Sequence, residues 1–167
     1  EKKIAIKEFL QLGEWFNKLG INVIILETMN SIAEIDAALS ALKQFNYSIW
    51  VSFVLKDENH LLSGDRLSEA LENLYFNNVK TVLLNCNSLE ITRNAVDYIV
   101  YNWDYEWGIY PNLGTEGPSP DGIITKYCKI DDYVSLCTYS IQKGASIIGA
   151  CCGSSPNHIA KLKKYKI

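Results

Sequence analysis

The chain has 167 residues, of which 48% are hydrophobic and 21% are charged, and its formal net charge is −3. These values are typical of one globular domain with a substantial core, and they exclude the basic surface of a nucleic-acid-binding protein. No apolar run approaches the roughly 18 residues of a membrane-spanning helix, and residues 1–10 lack the apolar core of a signal peptide. We therefore expect neither a nucleic acid nor a membrane as a partner.

The predicted elements alternate between helix and strand along the whole chain. Residues 6–20 have the apolar spacing of a helix that ends at Gly20, and the β-branched run 21–27 follows as a strand. A second helix begins at Ser31, with Glu34 three residues later in a capping-box pattern. The alternation continues with strands at 47–55, 79–86, 106–112 and 145–151 and helices at 63–76, 89–102, 131–144 and 155–165.

The five strands begin at steps of about 26 to 40 residues, which is the spacing of βαβ units. Their continuous apolar runs favour a parallel sheet covered by helices. We expect an α/β fold in a single domain over residues 1–167. Two architectures fit this pattern: an open doubly wound sheet, or part of a (β/α)8 barrel, which in full needs about 250 residues. No GxGxxG turn follows the first strand, which disfavours dinucleotide binding.

In both architectures the functional side chains lie at the C-terminal ends of the strands. The residues at those ends are Glu27, Thr28, Ser52, Asn85, Cys86, Pro111, Asn112, Cys151 and Cys152. This set includes three of the five cysteines, and three thiolates with one open position are a ligand set for catalytic zinc. The alternative is that Cys151 and Cys152 are small buried residues of a strand. An odd number of cysteines also predicts free or metal-bound thiols in a reducing, cytoplasmic setting.

Several segments resemble the homocysteine S-methyltransferase family. LLNCNS at 83–88 is similar to the family's Asn-Cys strand end, and SIIGACCGSSPNHIAKL at 146–162 is similar to its Gly-Gly-Cys-Cys-Gly-Thr stretch. Further similar segments follow the same order: IILETMNSIAEIDAAL at 24–39, IWVSFVLKDENHLLSGDRLSEAL at 49–71 and IYPNLG at 109–114. Two substitutions distinguish this chain, since Ala150 replaces the second glycine and Ser154 replaces the threonine.

The resemblance implies a fold, a metal and a reaction. The chain would form the C-terminal five-strand portion of a (β/α)8 TIM barrel, with strands that match the fourth to the eighth. It would hold Zn²⁺ through Cys86, Cys151 and Cys152. The zinc would activate the thiol of homocysteine, which would take a methyl group from a small methyl donor to give methionine. No catalytic residue beyond the zinc site is implied.

The resemblance also implies a substrate site around the metal. Glu27 would hold the amino group of homocysteine, and Asn112 would occupy the fourth metal position when substrate is absent. The full set of substrate-binding residues implied is Glu27, Thr28, Ser52, Asn85 and Asn112. Without the resemblance, Glu27 has the simpler interpretation of a strand-end carboxylate in a salt bridge.

The family's first three strands have no counterpart in this sequence. An isolated five-stranded piece would expose sheet edges and apolar surface. We therefore expect a fragment of a longer protein; the alternatives are a barrel completed by another chain, or self-association. The alternative function is a non-catalytic zinc-binding remnant or subunit. A hydrolase with Cys86 or Cys152 as nucleophile is disfavoured, because no histidine follows a strand to act as its base.

The remaining polar and aromatic residues have simpler interpretations. His60 in a polar loop and His158 in the first turn of the last helix predict surface or capping roles. Gly149 and Gly153 flank the cysteine pair and are expected to permit the bend that turns both sulfurs inward. The residues expected to pack in the core are Trp103, Trp107, Tyr110, Cys128 and Cys137.

Overall fold

A computed structural model describes residues 2–115, 120–121 and 123–164, so the predicted loop at 113–124 lies partly outside the described residues. The helices are α1 (Lys2–Lys18), α2 (Ile32–Leu42), α3 (Leu67–Phe76), α4 (Leu89–Asn102), α5 (Ile130–Gln142) and α6 (Pro156–Lys163). The strands are β1 (Val23–Met29), β2 (Ser48–Phe53), β3 (Leu55–Asp57), β4 (His60–Leu61), β5 (Thr81–Asn85), β6 (Glu106–Tyr110) and β7 (Ile147–Ile148). The predicted alternation of helix and strand is confirmed. Within this part of the chain, no helix has both the length and the apolar character that crossing a membrane requires.

Five strands form one parallel sheet in the order β1-β2-β5-β6-β7. Each strand of this sheet lies beside the one that precedes it in the chain, apart from the β3–β4 hairpin. A doubly wound sheet reverses its strand order at a switch point, and no reversal occurs among the described strands. Because all neighbours are parallel, the C-terminal ends of the five strands meet at one edge of the sheet.

The core lies between one face of the sheet and the helices. Leu26, Val51, Val82 and Trp107 lie side by side in register across four strands, and each of them is buried. The apolar faces of the helices cover this row, with Ile35 of α2 fully buried. Burying one such side chain stabilises a fold by about 1.5–3 kcal/mol. The predicted packing is confirmed for Trp103, Trp107, Cys128 and Cys137, which are buried or packed against this core.

The other face of the sheet is less covered at β1. Val23 and Ile25 are 52% and 45% exposed, and Trp50, the neighbour of Ile25 on β2, is half-buried. In β5, by contrast, all five residues are buried. The sheet of the described residues therefore ends at β1 in an unpaired edge with exposed apolar side chains.

A short antiparallel hairpin, β3–β4, follows β2 and was not predicted. Its apolar residues Leu55 and Leu61 are buried, and Nδ1 of His60 lies 2.8 Å from Oδ1 of Asp57. Residues 57–60 are all polar and therefore predicted a loop. The two apolar residues of the hairpin flank this run and gave no sign of strand pairing. His60 is therefore a hairpin residue that pairs with a nearby carboxylate.

Two predicted helix starts are confirmed. The Oγ of Ser31 accepts a hydrogen bond from the Glu34 N–H at 3.2 Å, although the Glu34 carboxylate accepts from Asn30 and not from Ser31. At α6, which begins at Pro156, the N–H of Ser155 donates to Nδ1 of His158 at 3.1 Å. The predicted capping role of His158 is thereby confirmed.

Candidate metal centre

Three strand-end cysteines meet at one point. Cys86 directly follows β5, and Cys151 and Cys152 follow β7 after two residues. Their Sγ atoms all lie within 4.8 Å of one another. The Sγ of Cys152 is 3.5 Å from that of Cys86 and 3.8 Å from that of Cys151. Among the described residues, no other group of three or more His, Cys, Asp or Glu side chains is placed to hold a metal.

The sulfur separations fit a tetrahedral metal. With zinc–sulfur bonds of about 2.3 Å, two sulfurs at tetrahedral angles lie about 3.8 Å apart. All five cysteines are free thiols, so the cluster is available as three single-sulfur ligands. Cys152 is exposed while Cys86 and Cys151 are half-buried, which leaves one side of the cluster open to a fourth ligand.

Main-chain hydrogen bonds from the end of β6 hold the two cysteine segments together. The N–H of Cys86 donates to the Tyr110 carbonyl at 3.0 Å. The N–H of Cys151 donates to the Pro111 carbonyl at 2.9 Å. The segment IYPNLG at 109–114 therefore connects the Cys86 segment with the Cys151 segment, which are far apart in sequence.

The backbone turns sharply at Cys86 and after Cys152. Cys86 has a φ of 56°, in the left-handed region that residues other than glycine rarely adopt, and strained conformations of this kind cluster at functional sites. Gly153 has a φ of 75°, so the bend predicted there is confirmed. Gly149 is different, because its φ is ordinary. A Cβ there would approach Cβ of Tyr110 to 3.1 Å, so glycine permits close approach rather than a turn.

Two thiols of the cluster, those of Cys86 and Cys151, are harder to ionise than an ordinary cysteine. Burial, followed by hydrogen bonds with Cys151 and Cys152, raises the pKa of Cys86 to about 12. Burial also raises the pKa of Cys151. A metal ion that binds at neutral pH must therefore displace protons from the sulfurs.

The polar strand-end residues form a hydrogen-bonded group beside the cysteines. Ser52 Oγ accepts from the Thr28 N–H at 3.0 Å, and Asn85 Nδ2 donates to Thr28 Oγ1 at 2.8 Å. The phenol oxygen of Tyr110 lies 2.8 Å from Ser52 Oγ and 3.2 Å from Oε1 of Glu27. Ser52 and Asn85 are buried and Glu27 is exposed. The structure therefore brings four predicted residues together with Tyr110.

Asn85 and Asn112 each present an amide oxygen in this region. Oδ1 of Asn85 is buried and has no hydrogen-bond partner among the described residues, which leaves an acceptor free for a small ligand or a water. Oδ1 of Asn112 accepts from the Gly114 N–H at 2.8 Å. The predicted metal-ligand role of Asn112 stays a prediction.

The packing role predicted for Tyr110 is wrong. Its side chain is half-buried and ends among the polar strand-end residues, and burial raises the pKa of Tyr110 to about 12. The phenol therefore keeps its proton at neutral pH and is available as a donor. Tyr110 was not included among the candidate site residues, because the strand-end residues of β6 were taken to begin one residue later, at Pro111. Tyr110 pairs in register with Asn85, so both side chains lie on the same face of the sheet.

Asn87 is a second residue that the sequence did not single out. Its Oδ1 accepts from the Leu55 N–H at 2.7 Å, and its Nδ2 donates to the Phe53 carbonyl at 3.2 Å. Its carbonyl accepts from the Asn112 N–H at 2.9 Å. Asn87 thus ties the loop after β5 to the segments that follow β2 and β6. Its place in LLNCNS, directly after Cys86, was the available signal.

Ala150, where the resemblance noted above leads one to expect glycine, lies directly before the cysteine pair. It is half-buried and packs against the core, and its φ lies outside the left-handed region. The methyl group therefore packs without placing Ala150 in a left-handed conformation. The cysteine cluster forms in spite of this substitution.

Comparisons with known proteins find related sequences. Homocysteine S-methyltransferase 3 of Zea mays is 29% identical over 150 residues, covering 87% of this chain and 44% of the relative. Homocysteine S-methyltransferase of Escherichia coli (strain K12) is 29% identical over 149 residues, covering 86% of this chain and 47% of the relative. The chain thus spans about half the length of the curated relatives it matches.

Solved structures give the same result. The metallated form of the homocysteine methyltransferase MmuM from Escherichia coli matches with a TM-score of 0.76 and 26% identity, covering 96% of this chain and 52% of that one. Its apo form matches with a TM-score of 0.75, covering 95% and 57%. The family model described as homocysteine S-methyltransferase matches residues 6–165. The chain therefore belongs to the homocysteine S-methyltransferase family.

Proposed function

We propose that this chain takes part in the zinc-dependent transfer of a methyl group from a small methyl donor to the thiol of homocysteine, which gives methionine. The single observation that supports this most is the meeting of Cys86, Cys151 and Cys152, whose Sγ atoms lie within 4.8 Å at the strand ends. The family match and the activity named for the relatives support the reaction. The metallated form of one structural neighbour supports a resident metal.

We also propose that the five parallel strands correspond to the fourth to the eighth strands of a (β/α)8 TIM barrel, within a single partial domain over residues 1–167. The unreversed strand order supports this assignment. So do Val23 and Ile25 at the β1 edge, because further strands of a barrel would cover these exposed side chains. The chain length relative to its relatives is consistent with such a portion.

Cys86, Cys151 and Cys152 would hold the zinc, and each would bind as a thiolate. When bound, the zinc supplies a positive charge that keeps a substrate thiol deprotonated near neutral pH, and the thiolate is the nucleophilic form. The three cysteine thiolates offset that charge, so the substrate sulfur retains its nucleophilicity. The open side of the cluster at Cys152 leaves room for the substrate sulfur to approach.

The remaining strand-end residues would orient the substrate. The exposed carboxylate of Glu27 is suited to pair with the ammonium group of an amino acid. Thr28, Ser52, Asn85 and Asn112 complete the proposed substrate site. Holding the thiol and the amino group at once places the sulfur for in-line attack on a methyl group. No other residue is proposed to act in the chemical step.

The free state of all five cysteines fits a reducing compartment, and we keep the cytoplasm as the proposed location.

The proposed zinc site is tested by measuring zinc in the purified chain. One zinc per chain is expected, and the variants Cys86→Ser, Cys151→Ser and Cys152→Ser are expected to lose it. Cys128→Ser is the matched control, because Cys128 is half-buried and outside the cluster.

A folded chain that binds no zinc would overturn the metal assignment. Where zinc is bound, methionine formation from homocysteine is then measured with several methyl donors. Zinc binding without methyl transfer, in a chain whose barrel has been completed, would instead identify a non-catalytic zinc-binding protein.

A further inference from the structure

We infer that Tyr110 is a positioning residue: its phenol, held by Ser52, fixes the Glu27 carboxylate relative to the cysteine cluster and so determines that the thiol substrate must carry an amino group. This inference rests on the proposed function, since it assumes a thiol that binds at the cysteines. It assigns a role in substrate selection to a residue outside the metal ligands and outside the acid itself.

The contact between Tyr110 and Glu27 crosses most of the sheet. Tyr110 ends β6 and Glu27 lies near the end of β1, with β2 and β5 between them. Three strand spacings amount to roughly 14 Å along the sheet, which only two long side chains that extend toward each other can span. They meet above Ser52, which is fully buried.

A count of protons gives the direction of the hydrogen bonds. The phenol of Tyr110 has one proton but lies within hydrogen-bond distance of both Ser52 and Glu27. The Glu27 carboxylate can only accept, whereas the Ser52 hydroxyl, which accepts from the Thr28 N–H, can also donate its own proton to Tyr110. Tyr110 then donates its proton to Glu27. Each of the two contacts of the phenol then contains one proton. The chain of hydrogen bonds runs from Thr28 through Ser52 and Tyr110 to Glu27, the neighbour of Thr28 on β1.

The same tyrosine is tied to the cysteine cluster through its main chain. Its carbonyl accepts from the Cys86 N–H at 3.0 Å, so one residue contacts a cysteine at one end and the acid at the other. Glu27 is exposed, and an unrestrained exposed carboxylate would sample several rotamers at an entropic cost on binding. A fixed acid at a fixed separation from the sulfurs favours a thiol whose amino group lies at the matching distance.

The test uses the full chain loaded with cobalt(II), whose absorption bands report each thiolate that binds the metal. Homocysteine is titrated against γ-mercaptobutyrate, which is homocysteine without its amino group. The wild-type chain is expected to prefer homocysteine. Tyr110→Phe is expected to lower that preference about tenfold, since one hydrogen bond to a charged group is lost, with the affinity for γ-mercaptobutyrate unchanged. Glu27→Gln removes the negative charge itself and is expected to abolish the preference for homocysteine.

The controls separate positioning from folding and from metal binding. Tyr101→Phe removes a phenol from an 89% exposed tyrosine of α4 and is expected to change nothing. Ser52→Ala removes the support of the phenol but leaves the ring and the acid, and it is expected to lower the preference as Tyr110→Phe does. Cobalt content is measured for every variant.

Each outcome has one meaning. A wild-type chain that binds no cobalt overturns the proposed metal centre and this inference with it. A chain that binds cobalt and prefers homocysteine, but keeps its full preference in Tyr110→Phe, overturns the inference alone. Equal loss of affinity for both thiols in Tyr110→Phe also overturns it, because that result indicates a structural role rather than the positioning of an acid.

Discussion

Strands β5 and β1 both end in residues of the candidate site, but they differ in their surroundings. Among the described strands, β5 has a neighbour on each side and all five of its residues are buried, while β1 has one neighbour and exposes every second residue at its start. Cys86 follows the first and Glu27 lies on the second. Cys86 is therefore supported by an interior strand and the acid by an edge strand, while Cys151 and Cys152 follow β7 at the opposite edge, away from β1. Metal binding should accordingly depend less than substrate binding on what pairs with β1.

The largest expected effect is the difference between β5 and β1 in how much a truncated side chain lowers the free energy of unfolding. Leu84 of β5 is fully buried, so Leu84→Ala should lower the free energy of unfolding by about 2–5 kcal/mol. Ile25 of β1 is 45% exposed, and Ile25→Ala should cost well under half as much. Urea denaturation of both variants measures the difference. Equal losses would contradict the contrast between the strands.

Zinc should stabilise the β5 side more than the β1 side. At a free zinc concentration about 100 times the dissociation constant, the free energy of unfolding should rise by about 2.7 kcal/mol. Amide hydrogen exchange should slow at 85–87, 110–113 and 151–153 before it slows at 23–29. Removal of zinc with a chelator should reverse both changes. Protection that appears first in β1 would refute this order.

Asn87→Ala tests whether Asn87 holds the loop after β5 to the segments that follow β2 and β6. It leaves the Leu55 N–H without its acceptor, so a loss of about 1–3 kcal/mol in the free energy of unfolding is expected. Asn22→Ala is the matched control, because Asn22 is exposed. Thermal or urea unfolding checks the pair. If the two variants are equally stable, Asn87 does not hold the loops together.

The smallest expected effect concerns the helix that follows β1. Ser31→Ala removes the N-cap contact to the Glu34 N–H and should cost about 1 kcal/mol of folding free energy. Because α2 follows the edge strand, zinc affinity should remain at the wild-type value. Calorimetric zinc titration of the variant checks this. A marked fall in zinc affinity would show that the edge and the metal ligands are coupled.

The sequence allowed the cysteine cluster to be predicted because its signals are local. The apolar run of β5 stops at Asn85, and the two cysteines after β7 lie beside a glycine with a left-handed φ. Parallel strands bring such ends to one edge whatever the exact register. That is why Cys86 could be placed near Cys151 without knowledge of any contact.

Other features depend on information that a single sequence does not contain. The contact of Tyr110 with Glu27 requires the order and the register of four strands. The strand predicted at 145–151 is regular only at Ile147–Ile148, although main-chain hydrogen bonds to the β6 segment continue at Gly149 and Cys151. The hairpin β3–β4 was missed because its polar run predicted a loop.

The central claim is that three sulfurs from two distant segments bind one metal, and X-ray absorption at the zinc edge of the zinc-loaded chain tests it most directly. In a buffer without thiols, we predict three sulfurs at about 2.3 Å and one lighter ligand, with a fourth sulfur when homocysteine is added. The Cys86→Ser variant should show fewer sulfurs, and Cys128→Ser should match the wild type. A zinc shell made mainly of nitrogen and oxygen would contradict the account.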